Sequence, residues 1–488
     1  MQVLPLNVQE SERLTMKMIK DYEMVIGLEV HVELKTKTKI FCSCSTAYGA
    51  APNSQTCPVC MGLPGVLPVL NRKVVEYAVK AGIATNCRIA NYSKQDRKNY
   101  FYPDLPKAYQ ISQYDLPLCE NGFVMIETKE GSKKIGITRI HIEEDAGKLV
   151  HDDEYGTMID CNRCGVPLIE IVSEPDIRSP EEACAYLEKL RAMILYTGVS
   201  DCKMNEGSFR CDVNLSVRKK GEKDFGTRTE MKNINSFHFV MQAIEYEYKR
   251  QVEEIEQGRK IIQETRKYDQ ATGETLTMRT KENADDYRYF PDPDLPPIEL
   301  TPEKIMEMQS EIGELPDSRK KKYIEKFGLT AYDSDTLLSD PNMACCFEEV
   351  VKKTTYYKIV ANLFITEIMR LNKDEFTCPV DPENIAKLAT LFGEQTINSA
   401  TLKKLLKRMW EANFDPVVVV EQEGLAQIND RNILSAVADD VIQKNEKLVS
   451  DYCNGKTKAF EGLMGNAMKQ TGGRANPIIL AEILKSRI

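Results

Sequence analysis

The chain has 488 residues, 42% of them apolar and 28% charged, with a formal net charge of -9. That length supports two to four domains with cores of their own, and that balance excludes intrinsic disorder. The acidic charge excludes a protein that coats nucleic acid through bulk positive charge; residues 401–488, with 13 Lys+Arg against 11 Asp+Glu, are the least acidic part and the natural place to meet a polyanion. No apolar run approaches the ~20 residues that span a bilayer. The first residues carry charges in place of an apolar leader, and 15 cysteines at scattered spacings suit a reducing cytoplasm.

In chain order, residues 1–21 read as an N-terminal extension. Residues 22–292 read as an α+β domain on a largely antiparallel sheet, with strand-like runs at 25–34, 135–142, 167–172 and 212–217 and helical patterns at 72–84, 180–196 and 237–257. Alternation places Glu29, His31 and Glu33 on one face of the first strand. Next, Cys42-Ser-Cys44 and Cys57-Pro-Val-Cys60 can supply four thiolates to one structural Zn²⁺, a knuckle over residues 42–60; four buried free thiols are the alternative. The proline-rich run from Pro291 to Pro297 stiffens the chain and marks a domain boundary. Residues 293–397 then read as all-helical, with starts at Thr301-Pro and Pro316-Asp-Ser-Arg and apolar residues at helical spacing over 345–371. A last helical module, 398–488, begins near Asn398 and carries Lys403, Lys404, Lys407 and Arg408 on a helix. Its Thr471-Gly-Gly-Arg474-Ala-Asn476-Pro477 run precedes a final helix.

Several segments of the first domain are too polar for a core yet sit within apolar strand sequence. His141-Ile-Glu143-Glu144-Asp145, followed by Gly147 and Lys148, ends a strand with three carboxylates, oxygen ligands of the kind that hold Mg²⁺ together with substrate phosphates. Glu170 interrupts an apolar strand, where a buried unpaired carboxylate costs several kcal/mol, so metal or Arg must compensate. Arg210, Asp212, Asn214 and Ser216 alternate with apolar residues, the pattern of a strand lining a polar cavity. Residues 230–236, with Glu230 and Lys232, read as a polar loop ahead of a helix whose N-terminus holds an anion. Residues 94–104 mix basic and aromatic side chains, which suits phosphate contact and base stacking. With no P-loop and no kinase Gly-rich loop, a nucleotide is held by metal and cationic side chains on the sheet. None of His31, His141, His151 and His238 sits in a nucleophile motif, which disfavours a covalent hydrolase. Cys161-Asn-Arg-Cys164 is a second Cys-x-x-Cys, open between a redox pair, thiols near the site and an accessory metal position.

Read in order, these segments closely resemble the B-subunit branch of the GatB/GatE family of aspartyl/glutamyl-tRNA amidotransferases, nearly end to end. The carrying residues are Ile26-Gly-Leu-Glu29-Val-His31-Val-Glu33, Asp96-Arg-Lys-Asn-Tyr-Phe-Tyr-Pro-Asp104, Lys107-Ala-Tyr-Gln-Ile-Ser-Gln113, the run from His141 to Lys148, and Asn162-Arg-Cys-Gly-Val-Pro-Leu-Ile-Glu170. Ile171 to Asp176, Asp285-Asp-Tyr-Arg-Tyr-Phe-Pro291 and Gly472-Gly-Arg-Ala-Asn-Pro477 complete the set. The large inserted domain of GatE is not evident. The resemblance implies a cradle domain similar to the catalytic domain of glutamine synthetase, then a helical domain and a YqeY-like tail.

It also implies ATP-dependent conversion of Glu-tRNA(Gln) to Gln-tRNA(Gln), of Asp-tRNA(Asn) to Asn-tRNA(Asn), or both, through an acyl phosphate that ammonia displaces. Ammonia would come from the amidase GatA, with GatC completing a cytoplasmic heterotrimer. Carried over by motif, Glu29, His31, Glu144 and Glu170 would serve catalysis and Mg²⁺, supported by Glu143 and Asp212. Lys148, Arg210 and Lys232 would be phosphate or transition-state partners, Cys42, Cys44, Cys57 and Cys60 would hold Zn²⁺, and Lys403, Lys404, Lys407, Arg408 and Arg474 would meet tRNA. A noncatalytic tRNA-binding scaffold explains the basic tail but leaves the strand carboxylates without a purpose, since a surface built only for RNA avoids repelling phosphates. A stand-alone ligase for a small acid explains the carboxylates but not the helical modules.

Overall fold

Period-two alternation makes β1 (Tyr22–Glu33) the organising strand: Leu28, Val30 and Val32 are buried on one side, and Glu29, His31 and Glu33 lie on the other. The computed structural model describes residues 20–280, 284–372 and 376–488, so nearly all of the expected extension 1–21 lies outside the described residues. The chain divides into two compact units, up to Leu315 and from Pro316 onward.

In the first unit β1 is the central strand of a nine-stranded sheet. On one side of it lie β10 (Pro167–Ser173), β7 (Gly131–Glu144), β6 (Cys119–Thr128) and β2 (Arg88–Ile89). On the other lie β11 (Phe209–Lys219), β12 (Thr229–Ile234), β13 (Glu264–Asp269) and β14 (Glu274–Thr280). Every pairing is antiparallel except β12 with β13. The apolar face packs on α1 (Arg72–Ala84), α2 (Pro180–Thr197) and α3 (Phe237–Glu256), which bury Val74, Val79, Tyr186, Leu190, Val240 and Ile244 against Ile140, Ile171, Val213 and Leu215. Each helix starts where its cap requires: Asn71, Ser179 and Ser236 accept backbone N–H groups of the first turn, and Gly198 in the left-handed region (φ 71°) ends α2.

The polar face of the sheet is walled by smaller pieces. β4 (Asp96–Asn99) pairs with β5 (Tyr109–Ser112) and with β15 (Phe290–Pro291); β3 (Tyr92–Ser93) pairs with β16 (Ile298–Glu299); β8 (Lys148–Asp152) and β9 (Gly156–Asp160) form a separate hairpin. Residues 230–234, expected as loop, are strand β12, because Thr229 and Met231 alternate into the core and Ile234 returns to it across a shift in register. The boundary expected at Pro291–Pro297 lies instead after Leu315. Leu295, Ile298, Leu300 and Met308, the last on α4 (Pro302–Ser310), are buried in the first unit's core.

The second unit is helical in its described residues: α5 (Pro316–Phe327), α6 (Ala331–Leu337), α7 (Pro341–Val351), α8 (Tyr357–Asn362, continued by a π turn to Leu371), α9 (Pro382–Gly393) and α10 (Ser399–Glu411), then α11 (Pro416–Gln422), α12 (Arg431–Lys444), α13 (Glu446–Cys453), α14 (Lys458–Gln470) and α15 (Pro477–Arg487). The helical run expected over 345–371 is two helices, split at 352–356, where the Thr354 hydroxyl accepts the Tyr356 N–H and contacts Thr390. No unit boundary falls at 397/398: Asn398 caps α10 while its amide donates to Gly473 O. α12, α14 and α15 nonetheless share a core built on Leu434, Leu463, Leu480 and Leu484. Among the described residues, no helix is long and apolar enough to cross a membrane.

Beneath α3, Glu247 is fully buried and accepts from Thr229, Gln251, Thr275 and Arg250, with Arg266 at 3.3 Å. Glu247→Ala would leave Arg250 and Arg266 with Glu264 alone and the buried donors of Thr229, Gln251 and Thr275 without this acceptor, and we expect it to destabilise the first unit by ~3–5 kcal/mol in chemical denaturation.

Candidate active site

Cross-strand register builds the site. In the central strands His31 stands opposite Arg210 on β11 and Glu170 on β10, and Glu170 stands opposite His141 on β7. Residues directly opposite point to the same face, so Arg210, His31, Glu170 and His141 form one transverse row. A second row places Glu29 opposite Asp212. Both rows floor a cavity of about 470 Å³, walled by Lys98, Tyr100, Tyr114, Tyr287 and Tyr289 and edged by Arg139, Arg163, Arg228 and Lys232.

The acidic side chains gather into two clusters, each with its ligand atoms within 4.8 Å of one another: His31, Glu143 and Glu170, and Glu29, Asp212 and Glu230. In the first, the two imidazoles each lie 3.5 Å from Glu170 Oε2, and His141 is 3.4 Å from Glu143. Burial opposes the charged form of Glu170, but His141 and His31 outweigh it and hold the carboxyl well below its ordinary range. Glu143 is likewise depressed, since the Lys98 charge and the His141 contact overcome its burial. Burial also works against protonation of His31, and the Glu170 carboxylate reverses that, raising the imidazole above its usual value. Burial disfavours the Lys98 ammonium too, yet Glu143 and Glu170 keep it firmly charged, and it lies over the Tyr287 ring at 5.2 Å.

In the second cluster, Lys232 pairs with Asp212 and lies 3.3 Å from Glu230, while Asn214 donates to Glu29 at 2.9 Å. Burial opposes the Lys232 charge, and Asp212 and Glu230 hold it in place nonetheless. At the end of the first row Asp145 binds Arg210, with Arg163 at 3.5 Å, and neighbouring Glu33 is pushed up to about 8 by burial and by the Asp145 charge. A further cavity of about 490 Å³ shares Glu29 and Arg228 and adds Gly27, Asn214, Ser216, Phe225 and Gln263.

Of the expected site residues, the fold brings Glu29, His31, Glu143, Glu170, Arg210, Asp212 and Lys232 together. It does not bring Glu144 or Lys148. Glu144 alternates to the opposite face of β7 from Glu143, where it pairs with Lys107 and accepts the Ile111 N–H at 2.8 Å beside a small cavity lined by Phe41 and Cys60. Lys148 is exposed on the β8–β9 hairpin. The cavity residues to which sequence reasoning assigned no individual site role include His141, Asp145, Glu230, Arg139, Arg163 and Arg228. Parity carried the signal for three of them: Ile140 and Ile142 place Glu144 on the apolar phase and His141, Glu143 and Asp145 on the polar one, and Met231 does the same for Glu230.

The sulfurs of Cys42, Cys44, Cys57 and Cys60 converge within 4.8 Å, a donor set that fits one tetrahedral soft cation. Cys60 is drawn down to about 4 by the Cys42 thiol, against its burial and with help from the Cys57 N–H and Lys39. Cys161 and Cys164 are buried free thiols outside this group. In the basic helix α10, Arg408 makes a bidentate pair with Glu423 at 2.9 and 2.7 Å and Lys403 pairs with Glu367 at 2.7 Å, whereas Lys404 and Lys407 face solvent. The Arg474 guanidinium donates to the Gly424 and Thr471 carbonyls and so shapes its own turn.

Residues 24–306 match the family described as the GatB/GatE catalytic domain, and residues 346–488 match the GatB domain of the YqeY type. The B subunit of the aspartyl/glutamyl-tRNA(Asn/Gln) amidotransferase from Caldicellulosiruptor saccharolyticus is 57% identical over 96% of this chain and 99% of its own length. The proteins of the same name from Carboxydothermus hydrogenoformans and Moorella thermoacetica are 55% and 50% identical, over 96% of this chain and 99% and 100% of theirs. With more than half of its length matched by one domain family and such relatives at least 50% identical over nearly its whole length, the chain belongs to the GatB/GatE family.

Proposed function

We propose that the chain is the B subunit of a glutamine-dependent tRNA amidotransferase, a carbon–nitrogen ligase of class EC 6.3.5.-, and that the cavity is where the side-chain carboxylate of Glu-tRNA(Gln), Asp-tRNA(Asn) or both is phosphorylated by ATP and amidated. The observation that carries this is the pair of acidic clusters on one cavity floor, anchored by Glu29 and His31, two residues and ~7 Å apart along one strand. A scaffold that only presents tRNA has no use for five carboxylates beneath a cavity meant for phosphates.

The donor sets fit divalent cations: Glu29, Asp212 and Glu230 offer the all-oxygen set suited to Mg²⁺, and His31, Glu143 and Glu170 a mixed nitrogen and oxygen set. Cations held there would supply positive charge to offset the charge developing on the transferred phosphoryl group. Arg228 and Lys232 line the cavity beside the acidic floor and are the cationic groups for the nucleotide phosphates, the adjoining cavity with Ser216, Phe225 and Gln263 receiving its nucleoside. Lys98 and Arg210, at the His31 end, orient the substrate carboxylate. One of its oxygens attacks the γ-phosphorus as the bond to ADP breaks. Ammonia nitrogen then attacks the acyl carbon, the carbon–oxygen bond to phosphate breaks, and the nitrogen sheds a proton as the amide forms. The tyrosines at 100, 114, 287 and 289, with Tyr114 and Tyr289 stacked at 4.4 Å, offer aromatic faces to the bases at the acceptor end of the tRNA.

The rest of the reading follows the family. The sheet domain is a cradle similar to the catalytic domain of glutamine synthetase, a helical segment follows, and the YqeY-type tail meets the tRNA body through Lys404 and Lys407. The four cysteines hold a structural Zn²⁺. An amidase partner, GatA, supplies ammonia, and GatC completes a cytoplasmic heterotrimer.

With GatA, GatC, Mg²⁺ and ammonia present, ADP release should be stimulated by charged tRNA and not by uncharged tRNA. Glu170→Gln should lower that release by ~10²-fold or more while tRNA affinity stays within a few fold. The loss in Glu144→Gln should be clearly smaller. Absence of stimulation despite tight tRNA binding would leave the scaffold reading. Charge reversal at both Lys404 and Lys407 should weaken tRNA binding and flatten its salt dependence, measured as dissociation constants across a salt series. Cys57→Ser should lower the zinc content and the melting temperature without removing a group from the cavity.

A further inference from the structure

Lys39 is fully buried, one of the largest side chains in the molecule with no exposure. Its ammonium has two polar neighbours: Cys60 Sγ at 3.6 Å and the Cys161 carbonyl at 3.3 Å. Among the described residues no carboxylate lies within ion-pairing distance of it. A buried ammonium costs several kcal/mol unless it is fully compensated, and here one sulfur and one carbonyl are its partners at hydrogen-bond distance. The cluster beside it resolves this: a divalent cation on four thiolates is a dianion, and Lys39 sits against the most buried of the four sulfurs.

The backbone of the same residue ties the two halves of the cluster together. Lys39 N–H donates to the Cys44 carbonyl at 2.9 Å, closing the loop that carries Cys42 and Cys44, while its side chain reaches under the second pair to Cys60. The stem packs against Gly165 (φ +77°), where an added Cβ would meet both Lys39 Cδ and Cys60 Cβ at 3.8 Å. Gly165 in turn donates to the carbonyl of Asp145, whose side chain binds Arg210 in the cavity.

Resting on the reading of the four cysteines as a metal centre, we infer that Lys39 is the outer-sphere counter-ion of that centre, compensating the metal–thiolate dianion by an N–H···S contact to Cys60. The buried cation and the metal therefore depend on each other. Without metal, the ammonium keeps only the Cys60 sulfur and one carbonyl; without the ammonium, the dianion loses its buried counter-charge.

The test compares full-length wild type with Lys39→Met, which keeps the stem and removes the charge. Zn²⁺ affinity is read by competition with a chromophoric chelator, and melting temperature is read with and without Zn²⁺. Lys39→Met should bind Zn²⁺ ~10–100-fold more weakly. The stability order should invert, with wild type the more stable when loaded and Lys39→Met the more stable after chelation. Equal Zn²⁺ affinity and an unchanged order would overturn the inference while leaving the metal centre standing; a wild type that takes up no Zn²⁺ would overturn both. Should Lys39→Met not accumulate in folded form, labelling of wild-type lysines with an amine reagent decides. Lys39 should be protected in the Zn²⁺-loaded chain and modified after chelation, and equal protection in both states would refute the dependence.

Discussion

Everything at the floor of the cavity depends on the register of β1 between β10 and β11. Because strand side chains alternate with period two, one setting places Glu29 and His31 over the polar face with Asp212, Arg210 and Glu170 beside them, and Leu28, Val30 and Val32 over the helices. A slip of one residue would exchange the two sets, burying a histidine and two carboxylates against α1–α3. The hydrophobic burial that secures the sheet therefore also secures the site.

Such a floor is electrostatically expensive. Glu143, Glu170 and Glu230 are buried within a few ångström of like charges, which by themselves would drive protonation or unfolding. The fold answers with basic groups from separate elements: the imidazoles of His31 and His141 on the sheet, Lys98 from β4, Lys232 from β12 and Arg210 from β11. This keeps Glu143 and Glu170 ionised although they lie close together, the condition for binding hard cations and for handling a phosphoryl group.

The walls come from remote parts of the chain. β15 pairs with β4, Arg97 binds Asp292 and Asp294 at 2.7 and 2.9 Å, and Asn99 donates to the Arg288 carbonyl, which together set Tyr287 and Tyr289 beside Tyr100 and Tyr114. The cysteine cluster stands behind the opposite wall, joined to it through Lys39, the turn at 161–165 and Asp145.

Local sequence determined much of this. The 72–84, 180–197 and 237–256 helices follow from apolar spacing and side-chain caps, the main strands from alternation, and the four-sulfur cluster from the spacing of its cysteine pairs. The shared face of Glu29 and His31, and that of Arg210 and Asp212, was legible for the same reason, since alternation is a property of one strand. Parity also contained the separation of Glu143 from Glu144, but three adjacent carboxylates mask it when read as a composition. What only the tertiary structure decided was pairing between strands: that Glu170 meets two histidines, that Glu230 joins Glu29 from two strands away, and that Lys39 ends beneath Cys60. Likewise, the chain from 293 to 315 belongs to the first unit because its apolar side chains find their partners there, despite the prolines before it. Such contacts join residues as remote in sequence as Glu29 and Glu230, and no local propensity encodes which strand becomes whose neighbour.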